Sequence, residues 1–146
     1  MATLTVTIKE ELILNGAERG SENVATISSV TEMIERIIDI PTATETTLVE
    51  YGSATGGSTF IDDTTQYLRI TNLDDTNFAT LRVLGTTEEY FVKVPAAGSF
   101  MLFNDEMDAN ATGSQAVSLA DIESIKAQAD TAALQPRNPL VHDGGL

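Results

Sequence analysis

Residues 66–103, QYLRITNLDDTNFATLRVLGTTEEYFVKVPAAGSFMLF, decide the fold class of this chain. Apolar side chains recur at every second position in four short segments of this stretch, at residues 66–73, 78–84, 89–94 and 99–103. This period of two is the spacing at which the side chains of a strand point to one face of a sheet. Turn-forming residues (DDTN, GTTE and PAAG) separate the segments. The stretch therefore predicts four antiparallel strands joined as a meander.

The flanking sequence continues the same pattern. Alternation predicts further strands at residues 3–14, 23–30 and 45–51. The first of these ends at Asn15-Gly16, a dipeptide that favours positive φ and therefore a tight turn. Thr, Val and Ile are abundant throughout, and they fit a pleated sheet better than a helix. The sequence thus predicts an all-β protein, an antiparallel, jelly-roll-like β-sandwich.

Two segments fit either a helix or a strand. Residues 31–40 (TEMIERIIDI) place isoleucines at both the helical and the strand spacing, and we favour a strand because four isoleucines precede Pro41. Residues 118–133 begin with Ser118 and Asp121, which could cap a helix, and the residues that follow alternate as well. By propensity alone a helix is slightly favoured for this second segment.

Composition limits the class of protein. The chain has 146 residues, a formal net charge of −14, one His and no Cys. This length suits a single domain, which we place at residues 1–134. The negative charge argues against nucleic acid as a partner, because nucleic-acid binding depends on Lys and Arg. No apolar run has the length of a membrane span, so no membrane partner is predicted either.

Residues 135–146 (QPRNPLVHDGGL) form a predicted extended C-terminal arm, since the two prolines exclude a helix. An arm of this kind can pair its backbone with the sheet of a neighbouring subunit. We therefore expect its removal to leave the sandwich folded and to weaken assembly. The predicted interface combines the hydroxyl face of the first strand with the arm: Thr3, Thr5, Thr7, Pro136, Arg137, Pro139, Leu140 and Val141.

No catalytic, cofactor-binding or metal-binding residue is predicted. His142 beside Asp143 could suggest a catalytic pair, but the arm offers no cleft, so a solvated or interface histidine is the better hypothesis. Several aspartates fall in predicted loops (Asp62, Asp63, Asp74, Asp75, Asp105 and Asp108), yet no DxDxDG calcium loop occurs. Ser99 lacks a G-x-S-x-G context, and the Asn110-Ala111-Thr112 sequon is interpreted as chance.

The aromatic residues of the predicted strands are expected in the core, because their burial dominates the stability of a small sandwich. They are Tyr67, Phe78, Tyr90, Phe91, Phe100 and Phe103.

Residues 67–103, with "RITN" at 69–72 and "PAAGSF" at 95–100, resemble a segment of small structural proteins of tailed phages, especially marine ones. The similarity extends to residues 32–41, 46–52 and 122–131, and for the last of these it favours a short turn followed by a strand. The two prolines of the arm and Gly144-Gly145 depart from the plain final strand of that pattern.

The resemblance implies a non-enzymatic virion protein without cofactors, assembled in the host cytoplasm, which binds copies of itself and other virion proteins. A capsid decoration or cement protein bound to the major capsid protein is the first expectation, and a tail or neck component is the second. A carbohydrate-binding β-sandwich, with a glycan as partner, is the alternative from another class.

Overall fold

Strands and turns make up the computed structural model, which describes residues 2–52, 59–61, 64–107, 119–130 and 140–145. The all-β prediction is confirmed. In chain order the strands are β1 Ala2–Glu10, β2 Ile13–Leu14, β3 Ala17–Glu18, β4 Ser21–Val30, β5 Glu32–Ile37, β6 Thr46–Gly52, β7 Thr59–Ile61, β8 Thr65–Thr71, β9 Ala79–Leu84, β10 Glu89–Val94, β11 Ser99–Leu102, β12 Glu106–Met107, β13 Ala120–Asp121, β14 Ser124–Ala129 and β15 Leu140–Gly145.

Two compact units divide the chain, Met1–Thr31 and Glu32–Leu146. The sequence placed one domain at residues 1–134, and its boundary at 134/135 lies outside the described residues.

The first unit is a long antiparallel hairpin in which β1 pairs with β4, and β2 pairs with β3 beyond it. Asn15 and Gly16 both have positive φ, at 52° and 78°, as the predicted tight turn requires. The predicted strand 3–14 is interrupted after Glu10. At this point a Cβ on Gly20 would lie 2.0 Å from the Glu10 carbonyl oxygen, so the two backbones approach at a distance that only glycine allows.

The second unit contains a five-stranded sheet, ordered β10-β9-β14-β6-β7, and a four-stranded sheet, ordered β11-β8-β15-β5. Within the described residues every pairing in these sheets is antiparallel except that of β6 with β7. The core draws fully buried side chains from both sheets, among them Leu48, Leu68, Ile70, Leu81, Val83 and Ile125. This arrangement is the sandwich that the sequence predicts.

The four central strands form at the predicted positions, but the predicted simple meander is wrong. β9 pairs with β10 in the five-stranded sheet, whereas β8 pairs with β11 in the four-stranded sheet. One hairpin is therefore nested inside the other and folded over onto the opposite layer. This arrangement lets both hairpins bury their apolar faces against each other, which a single flat meander would not do.

Between β8 and β11 the chain passes from one sheet to the other twice, after β8 and after β10. The buried side chain of Asn72 forms hydrogen bonds with both of these connecting turns. Its amide nitrogen donates to the carbonyl oxygens of Asn77, at 2.8 Å, and of Val94 and Pro95, each at 3.3 Å. Asp74 lies beside it, and its Oδ1 accepts hydrogen bonds from the backbone N–H groups of Thr76 and Asn77. The turns after β8 and after β10 are thus packed side by side.

Both ambiguous segments contain strands. Residues 32–37 form β5, as favoured, and Arg36 donates from its guanidinium to the Leu48 carbonyl oxygen. In the second segment propensity alone slightly favours a helix, whereas the described residues form β13 and β14, in agreement with the turn and strand that the resemblance favours. The reason is long-range pairing, since β14 lies between β9 and β6 and bonds to both.

The predicted arm contains β15, which lies inside the four-stranded sheet between β5 and β8. The expectation that its removal leaves the sandwich intact is therefore revised. Among the described strands, β5 pairs with β15 alone, so a chain without this segment would leave β5 without a partner in the sheet.

Candidate interaction surfaces

The outer surface of the four-stranded sheet exposes large apolar side chains. Met33 and Ile37 project from β5 with 58% and 65% of their surface exposed, and Met101 of β11 and Phe103 are also exposed. The Phe103 ring packs against Tyr67, with the ring centroids 5.3 Å apart. We call Met33, Ile37, Met101 and Phe103 the outer apolar face. Two of these residues lie on each side of the sheet surface, on or beside the edge strands β5 and β11, and grouped exposed apolar side chains can form a site where another protein binds.

β15 passes through the middle of this sheet. His142 lies opposite Glu35 on one side and opposite Arg69 on the other, while Gly144 lies opposite Met33 and Tyr67. Glu35 and Arg69 contribute one negative and one positive charge to this sheet. Their charges offset each other formally, whereas the chain as a whole carries −14.

The outer surface of the five-stranded sheet is different, because it carries a network of charges around one exposed ring. Arg82 binds Glu45 through Nε and Nη2, at 2.8 Å each, and Glu89 through Nη1, at 3.1 Å. These contacts raise the pKa of Arg82, with the Glu45 hydrogen bonds as the largest cause. Phe91 lies beside this network with 62% of its surface exposed.

A depression of about 380 Å³ borders this network. Its lining includes Phe78, Phe91, Arg82, Glu45 and Gln128. Lys93 covers the Phe78 ring, with Nζ 4.2 Å from the ring centroid. The prediction that the strand aromatics lie in the core is therefore wrong for Phe91, and for Phe103 on the other sheet.

The hairpin of the first unit has one polar and one apolar side. The predicted interface residues Thr3, Thr5 and Thr7 are all exposed on β1. Val6 and Ile8 alternate with them and are half-buried, and Ile13 near the turn has 73% of its surface exposed. The hydroxyl side is thus accessible, as an interface requires.

The structure describes the predicted arm residues only in part. Pro136, Arg137 and Pro139 lie outside the described residues, whereas Leu140 and Val141 belong to β15. Leu140 and Val141 pair with β5 and β8 of the same chain.

The candidate chemical groups are dispersed. Ser99 lies in β11, and its hydroxyl is 2.8 Å from the hydroxyl of Thr71 on the paired strand. Asp74 and Asp105 are buried and Asp75 is exposed, while Asp62, Asp63, Asp108 and the sequon 110–112 lie outside the described residues. In the part of the chain that is described, no three His, Asp or Glu side chains are grouped so that they could hold a metal ion.

A cavity of about 640 Å³ opens where β6, β7 and the segment before β14 meet, and its lining includes Glu50, Asp121 and Glu123. The sequence did not indicate this cavity, since its carboxylates come from distant segments. They become neighbours only through the pairing of β6 with β14.

Comparison with known proteins gives no match: no family model fits the chain, and no curated protein or solved structure matches it. Within the described residues, no helix has the length and hydropathy needed to cross a membrane.

Proposed function

We propose that this protein is a non-enzymatic structural component of a tailed-phage virion, and more narrowly a decoration protein that stabilises the capsid shell. The observation that carries the proposal is the outer apolar face, where Met33 and Ile37 are more than half exposed on a well-paired sheet. A surface of this kind supports binding of another protein. The phage identity rests on the resemblance of residues 67–103 to virion proteins.

The mechanism would be the burial of surface between subunits. A stable interface needs roughly 1,200–2,000 Å² in total, which is a fraction of the surface of a domain this size. The outer apolar face would bury against the major capsid protein or another copy of this chain. Acidic residues elsewhere would keep the protein from binding packaged DNA, because like charges repel. A tail or neck component would use the same face on a different partner.

The proposal is tested on particles. Phage particles released from cells that carry the gene are purified by density gradient and analysed by peptide mass spectrometry. The protein should be present at a copy number comparable to that of the major capsid protein, and gold-labelled antibodies should mark the head. A label on the tail would support the second placement, and particles free of the protein would contradict a virion role.

Variants test which surface binds. Ile37→Lys should weaken binding to shells that lack the protein by about tenfold or more, because it places a charge in the apolar face. Phe91→Lys is the matched control, since it changes an equally exposed apolar residue on the opposite sheet. Loss of binding in the control alone would contradict the role of the outer apolar face.

One observation favours carbohydrate binding as a second candidate function. Phe91 lies exposed beside the Arg82–Glu45 pair at the edge of a depression, a combination that can stack on a sugar ring and bond its hydroxyls. A glycan array would test this function. Binding that is lost in Phe91→Ala and kept in Ile37→Lys would support it, and an array without signal would reject it.

A further inference from the structure

The position of β15 in its sheet differs from that of a strand in a hairpin. It lies between β5 and β8, which do not pair with each other, and forms antiparallel ladders with both. Without this strand, the sheet would contain a slot with one backbone edge on each side. Exposed backbone edges of this kind pair readily with an added strand.

No tight turn ties β15 to the strands that it joins. Its partners β5 and β8 lie far earlier in the sequence, and the preceding strand, β14, belongs to the other sheet. Nine residues, including Pro136 and Pro139, separate Asp130 from Leu140. In a two-residue hairpin the turn forces a strand to pair within its own chain. No such turn joins β15 to β5 or β8, so the same backbone hydrogen bonds with both strands would form if β15 came from a second copy of the chain.

The surroundings of the slot suit the approach of a second copy. Met33 and Ile37 lie on one side of β15 and Met101 lies on the other, and all three remain exposed in the single chain. Glu35 and Arg69 lie opposite the same position of β15 and carry opposite charges, so this pair adds no net charge beside the slot to the −14 of the chain.

We propose that β15 is exchanged between two copies of this chain, so that Leu140–Gly145 of each copy completes the four-stranded sheet of the other between β5 and β8. Each copy gives and receives the same segment, so the interface is closed and symmetric. This inference deepens the proposed function, because it states how copies of the protein join. It does not require a virion, and each of the two can therefore fail without the other.

Disulfide trapping tests the exchange directly, because the chain contains no cysteine. Glu35 and His142 are directly opposed in the β5–β15 ladder. Opposed residues of antiparallel strands have Cα atoms about 4.5–5.5 Å apart, within the range that a disulfide spans. The single variants Glu35→Cys and His142→Cys are mixed in denaturant, refolded together and oxidised.

Exchange predicts a covalent dimer that joins residue 35 of one chain to residue 142 of the other, identified by mass spectrometry of the linked peptide. Random assortment places the two variants together in half of the dimers, which sets the expected yield. If the mixture stays monomeric while the double variant in one chain closes an internal disulfide, β15 stays in its own chain and the proposal is overturned.

Two controls make the outcome decisive. Met33→Cys with Gly144→Cys is a second opposed pair, and it replaces the first if Glu35→Cys or His142→Cys does not fold. Thr87→Cys mixed with His142→Cys should give no specific dimer, because Thr87 lies in the turn between β9 and β10. A dimer of equal yield in this mixture would indicate random collision and would contradict exchange.

Discussion

Asn72 connects two parts of the chain that are distant in sequence, and its contribution to stability can be measured. The residue is 2% exposed, its amide nitrogen donates to three backbone carbonyl oxygens, and its Oδ1 accepts from the N–H of Asp74. Asn72→Ala should lower the free energy of unfolding by about 3 kcal/mol, since each unsatisfied buried polar group costs about 1–3 kcal/mol. Urea unfolding measures the change.

The control for this substitution is Gln66→Ala, an exposed position on β8, the strand that precedes Asn72, where a change within about 0.5 kcal/mol is expected. Equal effects at both positions would mean that the two turns are held by their neighbours and not by Asn72.

Asp74 gives the fold a dependence on acid pH. The backbone N–H groups of Asn77 and Thr76 bond to its carboxylate and hold its pKa below the ordinary value of 3.8. A carboxyl group whose pKa is lower in the folded state stabilises the fold above its unfolded pKa, and this contribution is lost as the pH falls through the folded pKa. The contribution of Asp74 should therefore be constant near neutrality and decline below pH 3.8.

Asp74→Asn isolates this effect, because the amide oxygen can still accept both N–H bonds but carries no charge. The stability difference between the natural chain and the variant should be largest above about pH 5 and should shrink on acidification. Denaturant unfolding at a series of pH values measures it. A difference that is independent of pH would show that the charge of Asp74 contributes nothing.

Alternation in the sequence predicts which strand residues are buried, because the period of two is a local property. Ile70 and Leu81 are buried in this way, and so are their alternating neighbours. The period of two also places Asn72 on the buried face with Ile70, whereas the burial of Asp74 and Asn77 could not be predicted, because Asn and Asp are typical of exposed turns. Their burial depends on contact between the turn after β8 and the turn after β10, which the β9–β10 hairpin separates in the sequence.

Among the elements, the turn at Pro95–Gly98 contains one residue, Ala97, whose backbone conformation is unfavourable for its residue type. Ala97 has a φ of 59°, in the left-handed region that disfavours a side chain with a Cβ. Its N–H donates to the Asp74 carbonyl oxygen at 3.2 Å, so the turn is held in place by the turn after β8. Ala97→Gly should therefore stabilise the protein by about 0.5–1 kcal/mol, which thermal unfolding detects as a higher Tm.

Neighbouring positions in the same turn provide the controls. Ala96→Gly should be neutral or destabilising, because only Ala97 among the non-glycine residues of this turn has positive φ. Gly98→Ala should destabilise, because its Cβ would lie 2.8 Å from Cδ of the rigid Pro95 ring. If Ala97→Gly lowered the Tm, the turn would not be under strain at this residue.

The location and type of most strands follow from the sequence, whereas the sheet to which each belongs does not. Alternation is equally satisfied whether β8 pairs with β9 or with β11, since a period of two shows which face of a strand is apolar and not which strand lies beside it. The same limitation applies to β15, whose central place depends on two partners far away in the chain. Residues 118–133 show how strand pairing overrides a local preference for helix.

For the whole molecule, the excess of negative charge should set how association depends on salt. Copies that each carry −14 repel one another at low ionic strength, and added salt screens this repulsion over a Debye length of about 10 Å at 0.1 M. If copies associate through the outer apolar face, as proposed, that contact adds an attraction that salt does not weaken. Between about 20 mM and 500 mM NaCl, the association constant should therefore rise by about tenfold, or roughly 1.4 kcal/mol.

Sedimentation equilibrium measures this constant, and a variant with less negative charge provides the control. Glu22→Gln, Asp75→Asn and Glu106→Gln together remove three negative charges at exposed positions. This triple variant should associate more tightly than the natural chain at low salt and should respond less to added salt. An association constant that falls with salt would mean that copies are held by ion pairs, and the charged network around Arg82 would then replace the outer apolar face as the contact surface.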